Sequence, residues 1–145
     1  MTGVGIVEVY EVDRPDVPLI NISTRGQVQT GNDVMIGGFV IQGSGSQTVV
    51  VTAKGPSLVP FGIPNAISNP QLTLVRQADN TVIGTNDNWQ QAANAAAIQS
   101  SGFAPSNSLE SAILITLSPG AYTAIVSGVG NVTGVGIVEV YKVGP

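Results

Sequence analysis

Nine residues of this chain occur twice: Thr-Gly-Val-Gly-Ile-Val-Glu-Val-Tyr fills positions 2–10 and returns unchanged at positions 133–141. The copies lie 131 residues apart in a chain of 145, so the repeating unit is a whole domain and not a small solenoid turn. Each such domain would end in the strand that also begins this chain. Three readings stand on the residues alone. The first copy belongs to a preceding domain and is carried along; or it docks into a neighbouring molecule where the second copy could sit; or two similar strands occupy different places in one sandwich.

Eighteen Gly and nine Pro among abundant Val, Ile and Thr favour many short strands joined by tight turns. The length suits one domain with a real core. The hydrophobic fraction is 43% against 10% charged, yet no apolar run reaches the roughly 18 residues a membrane helix needs, so no membrane span is expected. The five basic residues, Arg14, Arg25, Lys54, Arg76 and Lys142, are scattered singly in a chain of net charge −4, which argues against a nucleic-acid partner. There is no cysteine and no histidine. Disulfides, thiolate metal sites, Ser-His-Asp chemistry and most zinc sites are thereby excluded. No basic segment followed by a hydrophobic stretch opens the chain, so a signal peptide is expected to be absent from it.

Residues 3–12 have the β-branched density of a strand, and Pro15 and Pro18 then interrupt any ladder. The expected organisation is an N-terminal strand over residues 1–13, a Pro-containing linker over 14–18 and a single β-sandwich domain over 19–145. Within that domain strands are expected at 19–24, 34–42, 47–54, 71–77, 81–85, 111–117, 121–127 and 133–143. Arg25-Gly26 reads as a turn, and Gly37-Gly38 marks a bulge or a close approach of another backbone. Val49, Val51 and Ala53 share one face of the clearest strand, with Thr48, Val50 and Thr52 on the other. The apolar, Pro-rich loop 55–64 closes one end of the core. Residues 89–101 form the sole helical candidate, placed over an open end. Nine or ten strands with one short capping helix predict an all-β fold, an antiparallel β-sandwich of jelly-roll or Greek-key kind.

The chain from residue 19 to 141 resembles a domain found as tandem or C-terminal modules in large secreted and cell-surface bacterial proteins. The likeness lies in Asn21-Ile-Ser-Thr-Arg-Gly26, Ile36-Gly-Gly-Phe39, Gly55-Pro-Ser-Leu58, Asn86-Asp-Asn-Trp89, Leu109-Glu-Ser-Ala112 and Pro119-Gly-Ala-Tyr-Thr123. The second half is similar to the bacterial pre-peptidase C-terminal domain, in which an Asn-Asp loop precedes a Pro-Gly-x-Tyr strand and a Gly-rich closing strand. The resemblance implies an extracellular or cell-surface module without a reaction of its own. It supplies no catalytic residue.

Candidate chemistry is sparse. Asp79, Asp87 and Asn88 offer hard oxygen ligands for calcium, though Asn and Asp also make turns without any metal. No other cofactor is expected. Trp89 suits either a sugar platform or a core position. Asp87 and Glu110 form the single candidate pair for glycosidase-type acid–base work, and nothing in their spacing indicates a shared cleft. Asn21 and Asn131 each begin a glycosylation-type triplet.

The terminal strands carry the sharper expectation. Val4, Ile6, Tyr10 and Val12 share one face with Glu8, and Val7 and Val9 share the other with Gly5, so both faces are partly apolar. The expected interface is Val4, Ile6, Val7, Val9, Tyr10 and Val12 with their counterparts Val135, Ile137, Val138, Val140 and Tyr141, and the expected hinge is Pro15 and Pro18. The partner is another copy of this chain in a heterologous, head-to-tail contact that propagates as a filament. The alternative is a monomeric surface-associated binding module, for carbohydrate or stabilised by calcium, appended to larger secreted proteins.

Overall fold

The computed structural model describes residues 20–144, and in them the alternation of apolar side chains resolves into eight strands. These are β1 (Asn21–Val28), β2 (Met35–Ile41), β3 (Gln47–Lys54), β4 (Pro70–Arg76), β5 (Thr81–Asn86), β6 (Ser111–Leu117), β7 (Gly120–Gly128) and β8 (Gly134–Val143). They form two four-stranded sheets of order β1-β8-β3-β6 and β2-β7-β4-β5, every neighbouring pair antiparallel. The all-β sandwich expected from the sequence is the fold observed.

The inner faces meet as period-two patterning requires. Val28, Val49, Val51, Ala53 and Val138 of the first sheet close on Met35, Ile41, Leu72, Leu74, Tyr122, Ala124 and Val126 of the second. Phe39 stacks on Tyr122 with ring centroids 5.6 Å apart, and the Tyr122 hydroxyl donates to the Ser118 carbonyl. Ile67, in the long connection between β3 and β4, is fully buried in this core.

Three local expectations are revised. β1 runs through the expected turn at Arg25-Gly26 to Val28, because Gly26 pairs across the ladder with Gly136 and packs against Met35. Gly37-Gly38 holds no bulge: a Cβ on Gly37 would lie 2.9 Å from Val138 Cγ1, so this glycine admits a side chain of the facing sheet. The register shift falls elsewhere, between Leu74 and Val75 where β4 meets β5. The helical candidate splits into a single turn at Trp89–Gln91 and a six-residue helix, α1 (Ala95–Ser100), separated by the extended backbone of Ala92. Trp89 and Ile98 pack on Ala112 and Leu114, and Phe103 stacks on Tyr141 at 4.3 Å. The excursion therefore covers the outer face of the first sheet, which is why Val50 and Thr52 are fully buried although they point away from the core.

Truncating Ile67 to Ala should destabilise the protein by about 2–5 kcal/mol, because close-packed strands on both sides prevent collapse onto the void. Chemical denaturation of the variant measures this.

Candidate functional site

β8 holds the second copy of the duplicated segment, and it lies inside a sheet, not at its margin. It pairs with β1 from Gly134↔Val28 to Tyr141↔Asn21, and with β3 from Ile137↔Lys54 to Val143↔Thr48. Its early part has another neighbour on that second side. Val135 donates its N–H to the Asn65 carbonyl at 2.9 Å and accepts from the Ile67 N–H at 2.8 Å.

Residue types along β8 match this seat. Gly134, Gly136, Val138 and Val140 face inward. A Cβ on Gly134 would lie 2.5 Å from the Ile67 nitrogen, and one on Gly136 would lie 3.1 Å from Val28 Cγ2. The seat thus requires glycine at Gly134 and crowds any side chain at Gly136. Val135, Ile137, Glu139 and Tyr141 face outward, where Glu139 meets Lys54 at 2.5 Å and accepts from the Thr52 hydroxyl at 3.3 Å. Tyr141 lies beside this pair, its ring centroid 5.8 Å from Lys54 Nζ.

The ion pair is mostly shielded from solvent. Burial works to lower the Lys54 ammonium, but the hydrogen bond and charge of Glu139 outweigh it and raise the pKa. Burial works to raise the Glu139 carboxyl, and Lys54 outweighs it in the same way and lowers the pKa. Burial, then the neighbouring Glu139, pushes the Tyr141 phenol up.

These directions define a pH window. Glu139 contributes stability above the ordinary carboxylate range and loses it as pH falls through its lowered folded value. Lys54 contributes fully below the ordinary ammonium value and loses it as pH rises through its raised one. Replacing Lys54 by Met should cost about 1–3 kcal/mol at neutral pH by leaving the carboxylate uncompensated. The deficit should shrink in acid, where Glu139 is protonated; paired denaturation curves at neutral and acid pH test both statements.

The two flanks of this sheet differ. At the β6 flank, the Trp89 N–H donates to the Glu110 carbonyl at 2.9 Å, the Ala112 N–H donates to Asn86 Oδ1 at 3.0 Å, and Asn94 Nδ2 donates to the Leu114 carbonyl at 3.0 Å. Two outward backbone groups of β6, the Ala112 N–H and the Leu114 carbonyl, are thus occupied by asparagine side chains, and the Glu110 carbonyl just before the strand by Trp89. Among the described residues nothing equivalent lies along β1, which is exposed over most of its length.

Of the expected interface, Val135, Ile137, Val138, Val140 and Tyr141 come together in β8. Val4, Ile6, Val7, Val9, Tyr10 and Val12, and the hinge residues Pro15 and Pro18, lie outside the described residues. The calcium candidates do not converge. Asp79 occupies the β4–β5 turn, where Arg76 Nε and Nη2 donate to its carboxylate at 3.0 and 2.6 Å and the Thr81 N–H donates at 3.2 Å. Arg76 first, and Thr81 with it, hold that carboxyl well below the usual range. Asp87 and Asn88 follow the far end of β5, a strand length of roughly 17–20 Å away. The structure thus does not bring Asp79 together with Asp87 and Asn88.

Trp89 is buried, with Nε1 donating to the Asn107 carbonyl at 3.2 Å. Glu110 is fully buried, and its Oε1 accepts from the Gly55 N–H (2.9 Å), the Ser57 N–H (2.9 Å) and the Ser57 hydroxyl (2.6 Å). The carboxylate therefore fixes the 55–57 loop and faces no cleft shared with Asp87. Sequence reading placed Gly55-Pro-Ser-Leu58 and Leu109-Glu-Ser-Ala112 as separate marks and missed that one binds the other. Nothing in the spacing of two segments more than fifty residues apart signals such a contact.

Glu110→Ala should destabilise by about 3–5 kcal/mol, since it removes the acceptor of one buried and two part-buried donors, whereas Glu110→Gln keeps a carbonyl oxygen and should cost less. Thermal melts of the two variants rank them.

The sandwich has the fold of a solved domain, the pre-peptidase C-terminal domain of collagenase from Bacillus anthracis. The two share a TM-score of 0.52 at 13% sequence identity, over 83% of this chain and 89% of that one. The likeness seen in the second half of the sequence thus extends over most of the chain as a likeness of fold. No protein-family profile and no curated protein sequence matches the chain.

Proposed function

We propose that this chain is a non-catalytic structural module of an extracellular or cell-surface protein, and that it self-associates head to tail through its duplicated strand. The observation that carries the reading is the fit of β8 to its seat. Every β8 residue from Gly134 to Tyr141 has an identical counterpart in residues 3–10. The glycine that Ile67 demands, the valines that enter the core, and the glutamate and tyrosine that meet Lys54 and Phe103 are all written twice. A segment with that chemistry is suited to pair with this sheet in another subunit.

The extracellular assignment draws support from the shared fold, since the solved counterpart is a C-terminal domain of a collagenase. Donor and acceptor surfaces differ, so the contact is heterologous and propagates unless its rotation closes a ring. We place the hinge of this contact at Pro15 and Pro18, a residue type whose ring fixes φ.

A binding module for carbohydrate is the rival reading. It draws on Phe61, 83% exposed beside Arg25 and Asn65 at one end of the sandwich. Deleting residues 1–13 separates the two. On the assembly reading the full chain scatters light and shows filaments by electron microscopy, while the deletion variant stays monomeric. Unchanged assembly of the deletion variant would overturn the proposal, and saturable glycan binding by a monomeric full chain would favour the rival.

A further inference from the structure

We infer that the donor strand seats on the open edge of β1 in a second copy of this chain, adding a fifth strand to the first sheet while β8 keeps its place. The inference rests on the self-association reading and, of the β8 fit that carries it, uses only the pairing with β1, since Ile67, Lys54 and Phe103 stay engaged by β8.

Backbone alternation identifies the accepting groups. Lys142 donates its N–H to the Ile20 carbonyl at 2.9 Å. In an antiparallel ladder hydrogen-bonded pairs alternate with non-bonded ones. Ile22, Thr24, Gly26 and Val28 therefore turn their N–H and C=O groups toward β8, and Asn21, Ser23, Arg25 and Gln27 turn theirs away from it. Among the described residues none of these four takes part in a backbone hydrogen bond outside the ladder. An edge of this length invites another strand unless something covers it. The opposite flank shows partial covering, with Asn86 and Asn94 on β6 and the Trp89 N–H on the Glu110 carbonyl just before it.

Residues 3–10 fit this edge in the antiparallel register that β8 uses on the other side of β1. That register sets Tyr10 opposite Asn21, Glu8 opposite Ser23, Ile6 opposite Arg25 and Val4 opposite Gln27, so the four outward-turned residues of β1 become its hydrogen-bonded partners. Val9 then falls beside Ile22 and Val7 beside Thr24, repeating the pairs Val140↔Ile22 and Val138↔Thr24. Ile20 and Ile22 are 68% and 38% exposed, and the added strand extends the inner face over them. Glu8 is the sole charged residue of the donor segment, and Arg25 is the sole charged residue of β1. In this register they lie diagonally across the new pair, within reach of long side chains. Displacing β8 instead would break ladders on both of its sides before any new bond formed.

Ser23→Pro tests the seat. Proline at this position removes an N–H that points away from β8 and blocks an added strand, while the β1–β8 ladder keeps its bonds. The variant should melt within a few degrees of the unaltered chain and assemble about ten-fold or more less readily by light scattering. If Ser23→Pro assembles normally while deletion of residues 1–13 abolishes assembly, the donor takes the seat of β8 and the edge inference is wrong, with self-association intact. If both variants assemble normally, residues 3–10 are not the donor and the proposed strand-mediated contact falls as well.

Amide exchange of the unaltered chain supplies a readout that needs no variant to fold. Ser23 and Arg25 amides should gain protection as protein concentration rises. Protection that is complete at every concentration would mean that the strand folds back on its own subunit and would overturn the second-copy partner, and no protection in assembled material would overturn the edge.

Discussion

The close approach of β8 to the connection carrying Ile67 is the constraint on which the rest of the sandwich depends. At Gly134 the strand has no room for a Cβ, because the Ile67 nitrogen occupies that space. The same approach lets Val135 pair with Asn65 and Ile67 before β3 becomes available as its neighbour. With β8 set there, β1 has a partner, Val138 reaches the space that Gly37 leaves in the facing sheet, and Glu139 arrives beside Lys54. Packing, pairing and charge thus converge on one strand.

A second constraint operates away from it. The buried Glu110 carboxylate gathers three donors from the loop that follows β3, and the backbone around Glu110 also anchors Trp89. The excursion from Trp89 to Glu110 is thereby held over the outer face of the first sheet, and that cover buries Val50 there while Val49 and Val51 are buried on the inner face. Strands buried on both faces carry near-continuous apolar sequence, as Val49-Val50-Val51 does.

Much of the fold was legible because period-two alternation and Gly or Pro punctuation are local signals. β3, β6 and β7 fall close to where their patterns place them. Arg25-Gly26 misled for the opposite reason. Glycine signals a turn locally, but Gly26 answers to Met35 and Gly136, which only the assembled sheets bring near it. The helix broke at Ala92 under tertiary packing that alanine-rich sequence does not report. Of the site, the identity of β8 with residues 2–10 was visible at once. Its partners Lys54, Ile67 and Phe103 were not, since long-range pairings leave no spacing signature. Asp79 and Asp87 lie apart because proximity in sequence across a strand is distance in space: they sit at opposite ends of β5.

Asn94 closes its flank as a donor, through an amide nitrogen that a carboxylate could not replace, while Asn86 serves as acceptor to Ala112 and donor to the Asn88 carbonyl. Among the described residues the first sheet is consequently polar in the geometric sense, partly occupied along one margin by amide chemistry and open along the other. An arriving strand therefore meets fewer free backbone groups at the β6 margin than along β1. Two asparagines thereby make one margin of the first sheet less receptive to an arriving strand than the other.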